Sequence, residues 1–142
     1  MRTLSADWVV PVEEAPIADG AIAIDDDGRI AAVGPRAELG GDVHYPESVI
    51  LPGFVNAHTH LEFSLAECGA SAGASFGDWL LNIRSRSPKQ VDDAAAWTAG
   101  QVRSGAEQSL RFGVTCLGDI SQEVRVTRAA LAGMTRRPRV VS

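Results

Sequence analysis

The chain has 142 residues, enough for one ordinary domain with a buried core, and its 45% hydrophobic and 22% charged content is typical of a soluble globular protein. Its formal net charge of −5, without any run of basic residues, argues against nucleic acid as a partner. No apolar run approaches the length that spans a membrane, so we expect no membrane partner either.

The cysteines and the N-terminus indicate the cellular compartment in which the protein is located. Cys68 and Cys116 are too few and too far apart to suggest a disulfide scaffold, and reduced thiols are typical of cytoplasmic proteins. The N-terminus, Met1–Trp8, lacks the apolar core of a signal peptide. We therefore predict a cytoplasmic protein.

Residues 1–48 carry the pattern of short strands. Three β-prone runs predict them: Trp8–Val12, Gly20–Ile24 and Arg29–Gly34. Pro11 suggests a sheet edge or a strand end, and Asp25–Gly28 predicts a hairpin turn because Asp-Gly readily supplies positive φ angles. The three acidic residues of that turn are expected to be solvated rather than to hold a cation. His44 has no partner at ligand spacing, so we predict that it lies on the surface.

The stretch 49–62 is the most informative part of the chain. Its apolar run is broken by Pro52 and Gly53 and then resumes before two histidines, His58 and His60. Short apolar runs interrupted by Pro or Gly predict a buried strand, on which residues two apart point to the same face. Two imidazoles at this spacing are a common half-site for zinc or a similar divalent ion. From these residues alone, two histidines packed in the core or at its rim remain an open alternative.

A loop and a helix are predicted next. Residues 69–75 are rich in Gly, Ala and Ser and predict a flexible loop. A helix is expected from Ser75 to Arg84, and one of its faces is apolar. That face comprises Phe76, Trp79, Leu80 and Ile83. Packing of the face against the rest of the protein is the straightforward interpretation.

The remainder of the chain alternates between helix and strand, which indicates the α/β class. A second helix is expected to begin at Asp92-Asp93, where carboxylates suit the positive end of a helix, and to end at Phe112-Gly113. Its predicted apolar stripe comprises Ala95, Ala99, Val102, Ala106 and Leu110. Three further elements are predicted: a buried strand over Val114–Asp119, a helix over Glu123–Met134 and the start of a strand over Pro138–Ser142.

Asp119 is the last residue of the predicted strand Val114–Asp119. We expect its side chain to face the same side as Leu117 and Thr115. There it would orient a pocket group or accept a hydrogen bond from a nearby histidine. A helix N-cap or a loop carboxylate is the alternative, and the neighbouring Ser121 makes that alternative competitive.

The motif around the two histidines resembles a known family. Pro52–His60 is similar to the first-strand signature of the amidohydrolase superfamily, the metal-dependent hydrolases built on a (β/α)₈ barrel. The continuation Leu61–Ser64 is most similar to the deaminase and chlorohydrolase branch, particularly to aminofutalosine-deaminase-like members. The resemblance implies that His58 and His60 bind a divalent metal ion. Zinc is the first expectation, and iron or manganese would suit the same ligands.

The resemblance also implies a domain organisation. Residues 1–48 would be part of a small β-sandwich, which in the family is completed by strands from the far C-terminal end. Residues 49–142 would be the first two to three βα units of an incomplete TIM-type barrel, because a closed barrel needs about 250 residues. On this basis we expect an N-terminal part of a longer protein.

The activity that the resemblance implies is hydrolysis of non-peptide carbon–nitrogen bonds. The specific expectation is deamination of a purine-like or cyclic amidine small molecule by metal-activated water. Glu62 and Trp79 are candidate substrate contacts, and a salt bridge at the barrel rim is the alternative for Glu62. The chain by itself is predicted to be inactive, and homo-oligomerisation is possible. The alternatives are a non-catalytic truncated product, a weak metal-binding module, and a cyclic amide hydrolase of the same superfamily.

Overall fold

The computed structural model describes residues 1–65, 75–85 and 93–142. Residues 69–74 of the predicted small-residue loop, Cys68 and Asp92 lie outside these residues. The chain divides into two compact units, Met1–Pro52 and Gly53–Ser142. Within the described ranges, none of the helices combines the length and the apolar character required to cross a membrane.

The first unit is a four-stranded mixed sheet in the order β3-β2-β1-β4. Its strands are β1 (Arg2–Val9), β2 (Ile17–Ile24), β3 (Ile30–Pro35) and β4 (Val43–Ile50), and a short helix, α1 (Arg36–Leu39), precedes β4. β1 and β2 are antiparallel, as are β2 and β3, whereas β1 and β4 are parallel. The edges of the sheet are therefore β3 and β4.

The first predicted strand was placed too late in the chain. β1 ends at Val9, before Pro11, and Val12 has a φ of 76° that no strand residue adopts. β1 is an inner strand with partners on both sides, so it has no position for a residue that lacks an N–H group. The chain consequently leaves the sheet before it reaches Pro11.

The predicted hairpin between β2 and β3 is confirmed. Asp25 Oδ1 accepts hydrogen bonds from the backbone N–H groups of Asp27 (3.0 Å) and Arg29 (2.8 Å), and Gly28 has a φ of 77°. Asp26 is exposed and its carboxylate pairs with the N-terminal amino group. The acidic run is a solvated turn, as expected.

The expectation for His44 was wrong. The residue lies within β4 and is partly buried, rather than on the surface of a polar loop. Its Nδ1 is 3.1 Å from Ser5 Oγ, and its Nε2 is 3.7 Å from Asp7 Oδ1. The parallel pairing of β4 with β1 creates these contacts, and that pairing has no signature in the local sequence.

The second unit is built on a three-stranded parallel sheet in the order β5-β6-β7. Helices connect its strands. In chain order the described elements are β5 (Phe54–Thr59), a 3₁₀ turn (Leu61–Phe63), α2 (Phe76–Ser85), α3 (Ala94–Arg111), β6 (Val114–Asp119), α4 (Val124–Ala132) and β7 (Arg139–Val141). The predicted strands at 114–119 and 138–142 are confirmed, and the described strands form an open sheet.

The core of this unit lies between the sheet and the helices α3 and α4. Its buried members are Leu61, Val102, Ala106, Leu117, Ala130 and Leu131. The predicted stripe of α3 is correct at its centre, whereas Ala95 is exposed. The ends of α3 also agree with expectation, because Asp93 accepts a hydrogen bond from Ala96 N (2.8 Å) and Gly113 has a φ of 80°.

Two apolar segments of the second unit are more exposed than their sequences suggest. β5 is an edge strand, and its Phe54 and Val55 are 55% and 68% exposed, so the expectation of a buried strand was wrong for the described residues. The apolar face of α2 is likewise exposed at Phe76 and Leu80. Among the residues that the structure describes, the predicted packing of this face is not found.

Candidate metal centre

β5 contains a bulge at His58. Asn56 pairs with Leu117 and Thr59 pairs with Asp119, so β5 has one more residue than β6 over this interval. The N–H of His58 is taken out of the ladder and donates instead to Asn56 Oδ1 at 3.2 Å. β-Bulges of this kind redirect side chains at the ends of strands.

The bulge requires the glycine on the neighbouring strand. A Cβ built on Gly118 would overlap the carbonyl group of Ala57. The sheet can therefore accommodate the extra residue of β5 only because β6 has no side chain at this position.

The two histidine rings lie next to each other. β5 ends at Thr59, so His60 is not on the regular strand that we expected but at the start of the 3₁₀ turn. The rings of His58 and His60 are nevertheless 5.2 Å apart between centroids, with an edge-to-face angle of 76°, and both residues are exposed. The bulge and the turn together bring about the proximity that a regular strand was expected to give.

The proton of His60 is fixed by its surroundings. Its Nδ1 lies 2.8 Å from the carbonyl oxygen of Ile120, and a carbonyl can only accept a hydrogen bond. In the neutral ring Nδ1 therefore carries the proton and donates it, and the lone pair is then on Nε2. A neutral ring with one nitrogen tied in this way is typical of metal-binding histidines.

Asp119 is buried at the carboxyl end of β6, 4% exposed, and Leu117 on the same side of the strand is buried too. Its Oδ1 accepts a hydrogen bond from Leu61 N at 2.8 Å, and its Oδ2 is buried with no hydrogen-bond partner among the described residues. The carboxyl group thus contacts the residue after His60 rather than a histidine ring. It supports the turn and does not cap α4, whose N-cap residue is Glu123.

Glu62 does not point the way the sequence suggested. The strand stops before it, and its side chain, 5% exposed, accepts hydrogen bonds from Gln122 N at 3.1 and 3.2 Å. This is a contact with a backbone N–H group and not the alternative salt bridge. Glu62 also lines a cleft of about 280 Å³ with Phe63, Trp97, Thr98 and Val126 among its neighbours.

Trp79 lies on α2 and is 36% exposed. The ring contact it makes within the described residues is with Phe76 on its own helix, with centroids 5.5 Å apart. The structure does not bring it to the histidines, and its role as a substrate contact stays a prediction.

Two imidazoles are the metal ligands that this part of the chain offers. The described residues contain no group of three or more His, Cys, Asp or Glu side chains placed to hold a metal ion, so Asp119 does not join His58 and His60 as a third ligand. The donor set fits half of a zinc site. The supporting residues Asn56 and Ile120 could not be recognised from the sequence, because a backbone carbonyl leaves no signal and an Asn before a strand end has many uses.

The chain is similar in sequence to known deaminases. No protein-family model matches the chain. The chain is 44% identical over 125 residues to 5-methylthioadenosine/S-adenosylhomocysteine deaminase of Nitratidesulfovibrio vulgaris strain Hildenborough. The match covers 82% of this chain and 27% of that protein, so the chain spans about a quarter of the length of this curated relative.

Solved structures agree with that match. A zinc-bound adenosine deaminase from Xanthomonas campestris superposes with a TM-score of 0.71 at 26% identity, over 92% of this chain and 31% of its own. The chain belongs to the amidohydrolase superfamily, among its deaminase-like members. Another structural relative of this amidohydrolase is Helicobacter pylori aminofutalosine deaminase, with a TM-score of 0.68 at 22% identity over 99% of this chain and 34% of its own.

Proposed function

We propose that this chain forms the first part of the barrel of a zinc-dependent deaminase that acts on adenosine-type nucleosides. The observation that carries the proposal is the pair of adjacent imidazoles, with Nδ1 of His60 committed to the Ile120 carbonyl. The deaminase relatives and the zinc-bound structural relative support the choice of reaction and metal.

The position of the pair supports the same proposal. His58 and His60 follow the bulge at the carboxyl end of β5, and Asp119 ends the neighbouring parallel strand. Active sites of (β/α)₈ barrels lie at the carboxyl ends of their strands. In this proposal residues 49–142 supply the first two to three βα units of such a barrel, and residues 1–48 belong to a small β-sandwich.

His58 and His60 would hold the metal through ring nitrogens, and Nε2 is the nitrogen that His60 has free. The chemistry that a bound divalent metal supplies is activation of water near neutral pH for attack on an electrophilic carbon. The net reaction adds water at the amidine carbon of the purine ring and releases ammonia. The chain's own contribution is to hold the His60 ring beside the His58 ring before the metal arrives, which lowers the cost of ordering the site.

The test is an assay of ammonia release by the product of the complete reading frame. The substrates are S-adenosylhomocysteine, 5′-methylthioadenosine, 5′-deoxyadenosine and adenosine. We expect zinc-dependent deamination of at least one, lost in His58→Ala and His60→Ala and retained in His44→Ala, because the contacts of His44 are with Ser5 and Asp7. A zinc-loaded protein that deaminates none of these nucleosides would overturn the choice of substrate class.

A further inference from the structure

Four hydrogen-bonding contacts join two short segments, residues 59–62 and residues 119–122, each of which begins at the last residue of a parallel strand. We call this arrangement the clamp. Ile120 N donates to Thr59 O at 2.9 Å, and His60 Nδ1 donates back to Ile120 O at 2.8 Å. The other two contacts use side-chain carboxyl groups as acceptors, one from each segment.

The two carboxyl groups flank the carbonyl group that holds His60. Asp119, on the N-terminal side of Ile120, accepts from Leu61 N at 2.8 Å. Glu62 accepts from Gln122 N, on the C-terminal side, at 3.1 and 3.2 Å. Each segment thus has one buried carboxyl group that accepts a hydrogen bond from a backbone N–H of the other segment. The Ile120 carbonyl lies between the two residues of its segment, Asp119 and Gln122, that make these bonds.

Side-chain packing does not hold Ile120 in place. The Ile120 side chain is 53% exposed, whereas Glu62 and Asp119 are 5% and 4% exposed. Burying carboxyl groups is costly unless hydrogen bonds compensate, and Asp119 Oδ2 has no such bond among the described residues. A buried carboxyl oxygen without a hydrogen bond raises the free energy of the folded state. Such unfavourable groups are typical of functional sites, where they hold a required geometry.

We propose that Asp119 and Glu62 are positioning residues: by fixing the segment 119–122 from both sides, they keep the Ile120 carbonyl at His60 Nδ1 and so present Nε2 of His60 to the metal. This role deepens the proposed function and rests on it for the metal. Both carboxyl groups act through His60 in this proposal, and the expectation of Glu62 as a substrate contact stays a prediction.

The first test measures the tautomer of His60 in the metal-free 142-residue chain. Imidazole ¹⁵N shifts are recorded at a pH about two units above the ordinary histidine pKa. In the unaltered chain we expect the proton on Nδ1. Asp119→Asn and Glu62→Gln keep the acceptor oxygen and should keep this tautomer, whereas Asp119→Leu and Glu62→Leu should give a mixture of tautomers. His44 is the internal control, and its signal should not change in any variant.

The second test measures Co²⁺ affinity in the product of the complete reading frame, from the visible spectrum. Loss of support to a metal ligand typically weakens binding by about 10- to 100-fold, and we expect this range for the two Leu variants. The Asn and Gln variants should bind within a few-fold of the unaltered protein. If Asp119→Leu does not fold, the Glu62→Gln and Glu62→Leu pair decides the question.

Two outcomes would contradict the proposed role of the clamp. One is an unchanged His60 tautomer and unchanged Co²⁺ affinity in both Leu variants. The other is an Asn or Gln variant that loses as much affinity as its Leu counterpart, which would mean that the hydrogen bond is not what matters. A protein that passes both tests and fails to deaminate any nucleoside contradicts the proposed substrate class and leaves the clamp intact.

Discussion

The carbonyl group of Ala57 lies directly against the α-carbon of Gly118, where a Cβ would overlap it. The contact lies at the bulge of β5, immediately before His58, where β5 has one residue more than β6. The geometry of the histidine pair therefore depends on a residue of the neighbouring strand that has no functional group of its own.

Gly118→Ala should consequently destabilise the second unit and disturb the histidine pair. Overpacking of this kind typically costs about 1–3 kcal/mol, measured by chemical denaturation. The matched control is Gly100→Ala in α3, where a Cβ has open space, and there a stabilisation of about 0.5–1 kcal/mol is expected. Equal effects of the two substitutions would contradict the role we assign to Gly118.

Leu61 anchors the turn that follows His60. It is 1% exposed and belongs to the core with Val102 and Leu117. Leu61→Ala should lower the free energy of unfolding by about 2–5 kcal/mol because it leaves a cavity. Leu65→Ala, at a position that is 56% exposed, should change it by no more than about 0.5 kcal/mol. A small effect at Leu61 would show that the turn is not held by the core.

The first unit should lose stability in acid partly through Asp42. Hydrogen bonds from the backbone N–H of Thr3 (2.7 Å) and from its hydroxyl (3.1 Å) lower the pKa of the Asp42 carboxyl below its ordinary value of 3.8. A pKa that is lower in the folded state gives a stability that is complete above the unfolded value and is lost as the pH falls through the folded value.

Thermal unfolding of Asp42→Asn, followed from about pH 6 to about pH 2, should therefore show a weaker acid dependence than the unaltered chain. Thr3→Val keeps the backbone donor and removes the hydroxyl, so its acid dependence should lie between the two. An Asp42→Asn profile that runs parallel to that of the unaltered chain would rule out this contribution.

The 142-residue chain alone should neither retain stoichiometric zinc nor release ammonia from a nucleoside. Two imidazoles rarely give a tight site, and the described residues supply no third ligand near them. Dialysis followed by metal analysis, with an ammonia assay on the same sample, checks both points. Retention of one zinc per chain together with release of ammonia from a nucleoside would contradict the proposal that further ligands are needed.

Much of the second unit could be predicted from local sequence. Gly113 ends α3 because it adopts a positive φ, and the apolar run that follows it forms β6. These features depend on residues that are near each other in the chain. The sequence also predicted that His60 lies next to His58. The predicted reason, a regular strand through both residues, was wrong, because β5 ends at Thr59, one residue before His60.

The features that were missed depend on contacts between distant segments. Glu62 accepts a hydrogen bond from Gln122 N, and His60 Nδ1 is hydrogen-bonded to Ile120 O. Both bonds form because the ends of β5 and β6 are adjacent in the sheet. His44 is partly buried because β4 pairs with β1. No periodicity within a segment encodes such pairings, since they depend on sheet register and on a bulge that one glycine permits.

The most direct measurement is the zinc content of the product of the complete reading frame, purified in parallel with His58→Ala, His60→Ala and His44→Ala. We predict about one zinc per chain in the unaltered protein and in His44→Ala, and substantial loss in the other two variants. Full zinc content in His58→Ala and His60→Ala would contradict this prediction, because the adjacent imidazoles would then not be the metal ligands.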